Sequence, residues 1–156
     1  MIVVVMGVSG SGKTTIGKLL AERLGCPFLD ADEFHLPENV AKMASGTPLT
    51  DEDRQPWLEA LNGMLLQRQN AVLACSALKE SYRNVLSKGL ADYRLVHLRG
   101  SVELIRARLA ERRHRYMPAS LLESQFATLE PPARAIGVDI GQPPGRCVDD
   151  ILAGLR

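Results

Sequence analysis

Apolar residues fall along this chain in short unbroken runs that alternate with stripes at three-and-four spacing, a rhythm of strands alternating with helices. Residues 2–6, Ile-Val-Val-Val-Met, contain no polar interruption and stop at Gly7. A strand buried on both faces has that pattern, which predicts a central strand of a parallel sheet. Residues 14–24 carry Ile16, Leu19, Leu20 and Leu24 on one helical face, and Gly25 follows as a stop. Further strands are predicted over 27–29, 71–75, 93–98 and 136–140. Helices are predicted over 34–45, 56–69, 79–87 and 145–155. In the second of these Trp57, Leu58, Leu61, Met64 and Leu65 face inward, and Pro56 occupies the first turn, where its missing N–H is harmless. Ser101 caps another helix with Val102, Ile105 and Leu109 inward. One more runs through Leu122, Phe126 and Leu129 and stops at Pro131-Pro132. The alternation predicts an α/β fold, a parallel sheet covered on both faces, with ligands bound beyond the carboxyl ends of the strands.

At 156 residues the chain fits one domain, 1–156, with no linker, repeat or low-complexity tract. Its 19 Lys and Arg against 18 Asp and Glu leave a net charge of +1, which disfavours a nucleic-acid partner. Only seven aromatics occur, three Phe, three Tyr and one Trp, so Val, Leu, Ile and Ala must build the interior. Cys26, Cys75 and Cys147 are odd in number and far apart, against a disulfide framework or zinc site. The opening apolar run is too short for a signal core or membrane span, so a cytoplasmic protein with no membrane partner is expected.

The chemistry enters at Gly7-Val8-Ser9-Gly10-Ser11-Gly12-Lys13-Thr14, a match to G-x-x-x-x-G-K-[ST] between a buried strand and an amphipathic helix. Its glycines let backbone N–H groups surround phosphate oxygens, and the helix amino end adds partial positive charge. Lys13 reaches the outer phosphates, and Thr14, followed by Thr15, offers a hydroxyl to Mg²⁺. A phosphate-bearing ligand with Mg²⁺ is expected here. No N-K-x-D guanine-reading motif is present, and the strand over 71–75 ends in Cys75-Ser76 rather than in a metal-binding Asp.

Asp30 and Asp32 stand two apart at a strand end, so extended geometry aims both the same way. One can order the metal's water while the other takes a proton from an attacking hydroxyl; capping the next helix is the plainer alternative. His35 is either a structural residue or a substrate contact. Asp51, Glu52 and Asp53 suit the first turn of a helix, and Trp57 suits the core.

These residues resemble the gluconate kinases over nearly the whole chain. The marks are Met6 to Thr14, Phe28-Leu-Asp-Ala-Asp32 with His35, Asn39, Lys42-Met43, and Gly46-Thr-Pro-Leu-Thr-Asp-Glu-Asp-Arg-Gln-Pro-Trp-Leu58. Cys75-Ser-Ala-Leu-Lys79 with Tyr82-Arg83, and Leu121-Leu-Glu-Ser-Gln-Phe-Ala-Thr-Leu-Glu-Pro131, complete them. The resemblance implies a three-layer, nucleoside-monophosphate-kinase-like P-loop fold with a five-stranded parallel sheet and a helical lid at about 112–120. It also implies ATP- and Mg²⁺-dependent phosphorylation of D-gluconate at its 6-hydroxyl, and a homodimer.

In that frame Lys13, Asp32 and Arg112 are the expected catalytic residues, and Thr14 and Asp30 the expected metal ligands. Residues 7–15, Arg108, Gln142 and Pro143 are expected around the nucleotide. Asp32, His35, Arg54, Lys79 and Arg83 are expected around gluconate, Arg favouring a forked carboxylate contact. For each of these cations, and for Arg108 and Arg112, a solvated surface charge is the alternative. The chain departs from the family at Arg115-Tyr116-Met117-Pro118, with His114 one place early, so the role of the usual family histidine does not carry over. A same-fold kinase for shikimate, adenylylsulfate or a nucleotide is the nearest competing reading. A non-catalytic nucleotide-binding module is the more distant one.

Overall fold

The computed structural model describes residues 1–111 and 119–156. Five strands form one sheet: β1 (Ile2–Met6), β2 (Phe28–Asp30), β3 (Ala71–Ala74), β4 (Tyr93–Arg99) and β5 (Ile136–Asp139). Their order is β2-β3-β1-β4-β5, and every pairing is parallel. The expected central strand is therefore central. Its side chains alternate between two cores: Val3 and Val5 face one, Ile2, Val4 and Met6 the other, which is why the run has no polar position.

Seven helices are described: α1 (Lys13–Leu24), α2 (Pro37–Ala44), α3 (Asp51–Leu66), α4 (Glu80–Ser87), α5 (Val102–Glu111), α6 (Ala119–Thr128) and α7 (Pro144–Leu155). On one sheet face α1, α5, α6 and α7 contribute Ile16, Leu20, Ile105, Leu122, Cys147, Val148 and Ile151. On the other, α3 and α4 contribute Trp57, Leu58, Leu61, Leu65, Tyr82 and Leu86. The layers place the carboxyl ends of β2, β3 and β1 side by side, where the phosphate loop, the acids and the turn before α4 begin.

Two helix starts differ from the sequence expectation, while the other element ends shift by at most three residues. The helix expected over 34–45 is a 3-10 turn, Ala31–Phe34, followed by α2. His35 and Leu36 between them are extended, with ψ 144° and 150°. Pro37 is the cause, because a residue before proline is driven out of the helical region. The helix expected from Pro56 instead starts at Asp51, with Pro56 inside it. Thr50 and Asp53 close a reciprocal capping box at that start, Asp53 N–H donating to Thr50 Oγ1 at 3.1 Å and Thr50 N–H to Asp53 Oδ2 at 2.9 Å. That cap outweighs the proline's weaker claim to the first turn. All three acids, Asp51, Glu52 and Asp53, then occupy the first turn as expected.

Candidate active site

The phosphate loop leaves β1 and enters α1 through Gly12, which sits at φ 95° with no side chain capping the helix. The amino end of α1 is thus left to an anionic ligand. Gly10, at φ 84°, packs so closely on α5 that a Cβ there would lie 2.9 Å from Leu109 Cγ. Lys13 folds back over the loop and its Nζ donates to the carbonyls of Gly7 (3.0 Å) and Val8 (3.1 Å). The Ser11 hydroxyl is fully buried inside the loop.

Beside the loop, Thr14 Oγ1 donates to Asp30 Oδ2 at 3.3 Å, joining the two residues expected to hold a metal. Asp30 Oδ1 meanwhile accepts the N–H of Asp32 at 3.1 Å, so the capping alternative is realised in the same side chain. A hydroxyl and a carboxylate are hard oxygen donors that fit Mg²⁺ when phosphate and water complete its shell. Among the described residues no three His, Cys, Asp or Glu side chains gather as a metal cage.

Asp32 projects into solvent from the 3-10 turn, its side chain 77% exposed, with His35 Nε2 at 3.6 Å. Trp57 holds this turn in place: its Nε1–H donates to Ala31 O at 2.8 Å, and the His35 ring stacks on it at 4.1 Å. His35 is accordingly a buried ring beside the candidate base. Cys75, at the end of β3, feels Lys13, Asp32 and Asp30, but burial pushes its thiol up to about 12 and leaves it inert.

Arg54 lies on α3 one turn before Trp57, the residue that bonds the Ala31 carbonyl. There it meets Lys79 and Tyr82 around Asp51. Arg54 donates to Tyr82 Oη (3.2 Å) and to Leu49 O (2.9 Å). Lys79 Nζ lies 3.1 Å from Asp51 Oδ2, and Tyr82 O–H donates to Asp51 Oδ1 at 2.5 Å. The Tyr82 and Lys79 hydrogen bonds pull Asp51 below the usual carboxylate range, and the same carboxylate holds Lys79 up. Two cations against one carboxylate leave an excess positive charge, suited to an organic acid.

Arg83 is elsewhere. It is buried, and its guanidinium donates to Ala77 O (2.7 Å), Leu78 O (3.1 Å) and Glu130 O (2.9 Å), so it braces the turn between β3 and α4. Arg108 donates to Ile140 O, which brings α5 to the loop carrying Gln142 and Pro143. Gln142 Nε2 itself donates to Asp150 at 2.7 Å, and Pro143 is the N-cap of α7. Arg112, Arg115 and the lid segment about 112–120 lie outside the described residues, apart from the start of α6.

One residue carried no role in the sequence reading. Gln125 of α6 holds Ser9 of the phosphate loop at two points: its Oε1 accepts the Ser9 N–H at 2.7 Å and its Nε2 donates to Ser9 Oγ at 3.1 Å. No motif or periodicity points to it; its place in the quoted 121–131 segment was the only signal.

Residues 9–128 match the shikimate kinase family. A probable gluconokinase of Rattus norvegicus is 47% identical over 169 residues, covering 91% of this chain and 91% of its own. The crystal structure of a gluconokinase from Sinorhizobium meliloti superposes with a TM-score of 0.91 at 46% identity, over 98% of this chain and 90% of the other. Shikimate kinase of Aquifex aeolicus covers 99% of this chain and 96% of its own at a TM-score of 0.63 and only 22% identity, a likeness of fold alone. Sequence and structure therefore converge on one narrower group within the shikimate-kinase-type proteins: this chain belongs to the gluconokinase family.

Proposed function

We propose that the protein transfers the γ-phosphoryl group of ATP to the 6-hydroxyl of D-gluconate, giving 6-phosphogluconate and ADP. The observation that carries this reading is the adjacency of three parts at the carboxyl ends of β2, β3 and β1. These are an intact phosphate loop, a paired Thr14 and Asp30 with Asp32 beside them, and a cationic cluster on α3 and α4. The phosphate loop, with Lys13 and the amino end of α1, holds the phosphates of ATP. Arg108, Gln142 and Pro143 flank the nucleotide. Arg54 and Lys79 take the gluconate carboxylate, with Tyr82 beside them, while Arg83 acts through the turn that it braces.

Asp32 orients the 6-hydroxyl and accepts its proton as the new O–P bond forms and the bond from Pγ to the bridging oxygen of ADP breaks. His35, stacked on Trp57, limits where the Asp32 carboxylate can lie and borders the substrate. Thr14 and Asp30 would hold Mg²⁺, which when bound offsets negative charge on the phosphates. Arg112 is assigned to the transferring group upon lid closure. The protein is assigned to the cytoplasm as a homodimer that binds neither nucleic acid nor membrane; among the described residues no helix is long and apolar enough to cross a membrane.

The test is ADP release over a panel of gluconate, other aldonates, shikimate and nucleoside monophosphates. Gluconate is expected to be preferred strongly, because polar groups set for its carboxylate and hydroxyls are left unpaired by the others. Equal or faster turnover of shikimate, the competitor that the family match brings forward, overturns the assignment.

A further inference from the structure

The end of α6 and the residues just after it touch both halves of the site. Gln125 holds Ser9, on the rim of the phosphate loop, by the two hydrogen bonds described above. Five residues later, Glu130 makes three contacts with the turn between β3 and α4. Its N–H donates to Leu78 O at 2.8 Å, its carbonyl accepts from Arg83 at 2.9 Å, and its Oε1 accepts the N–H of Glu80 at 2.8 Å. The last contact is a cap supplied from outside: Lys79, at the N-cap of α4, makes no capping bond of its own, and a carboxylate is favourable at a helix amino end. The turn being held includes Ala77 at φ 46°, a left-handed conformation that a residue with a Cβ adopts only when its surroundings enforce it.

We propose that residues 125–130 are a two-ended brace in which Gln125 and Glu130 are positioning residues, Gln125 for the ATP phosphates and Glu130 for the gluconate-side Lys79. Ser9 lies within the phosphate loop, so a loop rim fixed at both an N–H and a hydroxyl presents its remaining N–H groups already ordered, and the ordering entropy is not lost again when ATP binds. At the other end, the cap fixes where α4 starts and hence where Lys79 stands against Asp51 and Tyr82. The gluconate half of this inference rests on the function proposed above; the phosphate half does not.

The test separates the two ends. Gln125→Met keeps the length and helix preference of the side chain but neither hydrogen bond. It is expected to weaken a non-hydrolysable ATP analogue about tenfold by calorimetry, with KM for gluconate and kcat changed by less than about twofold. Glu130→Leu is expected to do the reverse, raising KM for gluconate about fivefold and leaving analogue binding within about twofold, while Glu130→Gln, which keeps the accepting oxygen, restores the KM for gluconate. Should Gln125→Met fail to fold by circular dichroism, Ser9→Ala removes the hydroxyl anchor alone and is expected to weaken the analogue about threefold. The brace is overturned if the phosphate-end variant binds the analogue like wild type, if both variants weaken both ligands alike, or if Glu130→Gln gives no rescue. A wild-type enzyme inactive on gluconate sinks the proposed substrate instead, and the calorimetry still decides the phosphate end.

Discussion

Asp32 is exposed, stands at a strand end beside the phosphate loop, and is held from below by Trp57 through the Ala31 carbonyl and the His35 ring. As the proposed base it would contribute by accepting a proton, whereas most of the acceleration in phosphoryl transfer comes from alignment and charge. Asp32→Asn is therefore expected to lower kcat by roughly 10²- to 10⁴-fold while ATP affinity stays close to wild type. Steady-state kinetics decide it, and a variant that keeps most of its turnover while Asp30→Asn loses it would exchange the two roles. Lys13 and Thr14 stood out as candidates at this scale because a fixed spacing marks a phosphate loop. Arg83 was not, because a charge in a sequence does not reveal that three backbone carbonyls surround it. Gln125 was hidden for the same reason, its partner lying 116 residues away.

Among the elements, α3 depends on its start. Asp53 closes the capping box with Thr50 and receives Lys42 of α2 at 2.8 Å. The Lys42 ammonium first, then the Thr50 amide, hold its carboxyl at about 2 against an ordinary 3.8. As pH falls the unfolded chain takes this proton first, so the stabilisation is complete above about pH 4 and is lost toward pH 2. The melting temperature of Asp53→Asn is expected to lie below that of wild type at neutral pH, with the gap closing between about pH 4 and 2. A gap independent of pH contradicts the ionic part of the cap. The phosphate loop is equally constrained. Gly10→Ala adds a left-handed penalty of about 1 to 2 kcal/mol and a contact of 2.9 Å with Leu109, so urea should unfold the variant at a lower midpoint and ATP should bind more weakly. An unchanged midpoint would mean that the loop relaxes freely away from α5. The start of α3 was misjudged from sequence because Pro56 is an eye-catching first-turn residue, whereas the Thr50–Asp53 box acts through two hydrogen bonds that only the folded turn makes.

At the level of the whole molecule, the apolar runs 2–6 and 71–75 already specified buried parallel strands, since both faces of β1 and β3 meet a core. The order of those strands was not in the runs themselves, and the family resemblance supplied only their number and parallel sense; the folded sheet shows it. The order matters because it sets β2 and β1 on either side of β3, within reach of each other, so that Asp30 at the end of β2 meets Thr14 beside the phosphate loop. The cationic cluster at Asp51 is likewise a product of packing α3 against α4. Phosphoryl transfer from ATP to the 6-hydroxyl of gluconate is decided by phosphorus NMR of the protein incubated with ATP, Mg²⁺ and D-gluconate. Loss of the γ-phosphate resonance of ATP and growth of a single phosphomonoester coupled to the C6 protons are expected. An unchanged γ resonance with gluconate present, or a monoester that forms only when shikimate or a nucleotide replaces it, rules out gluconate as the acceptor.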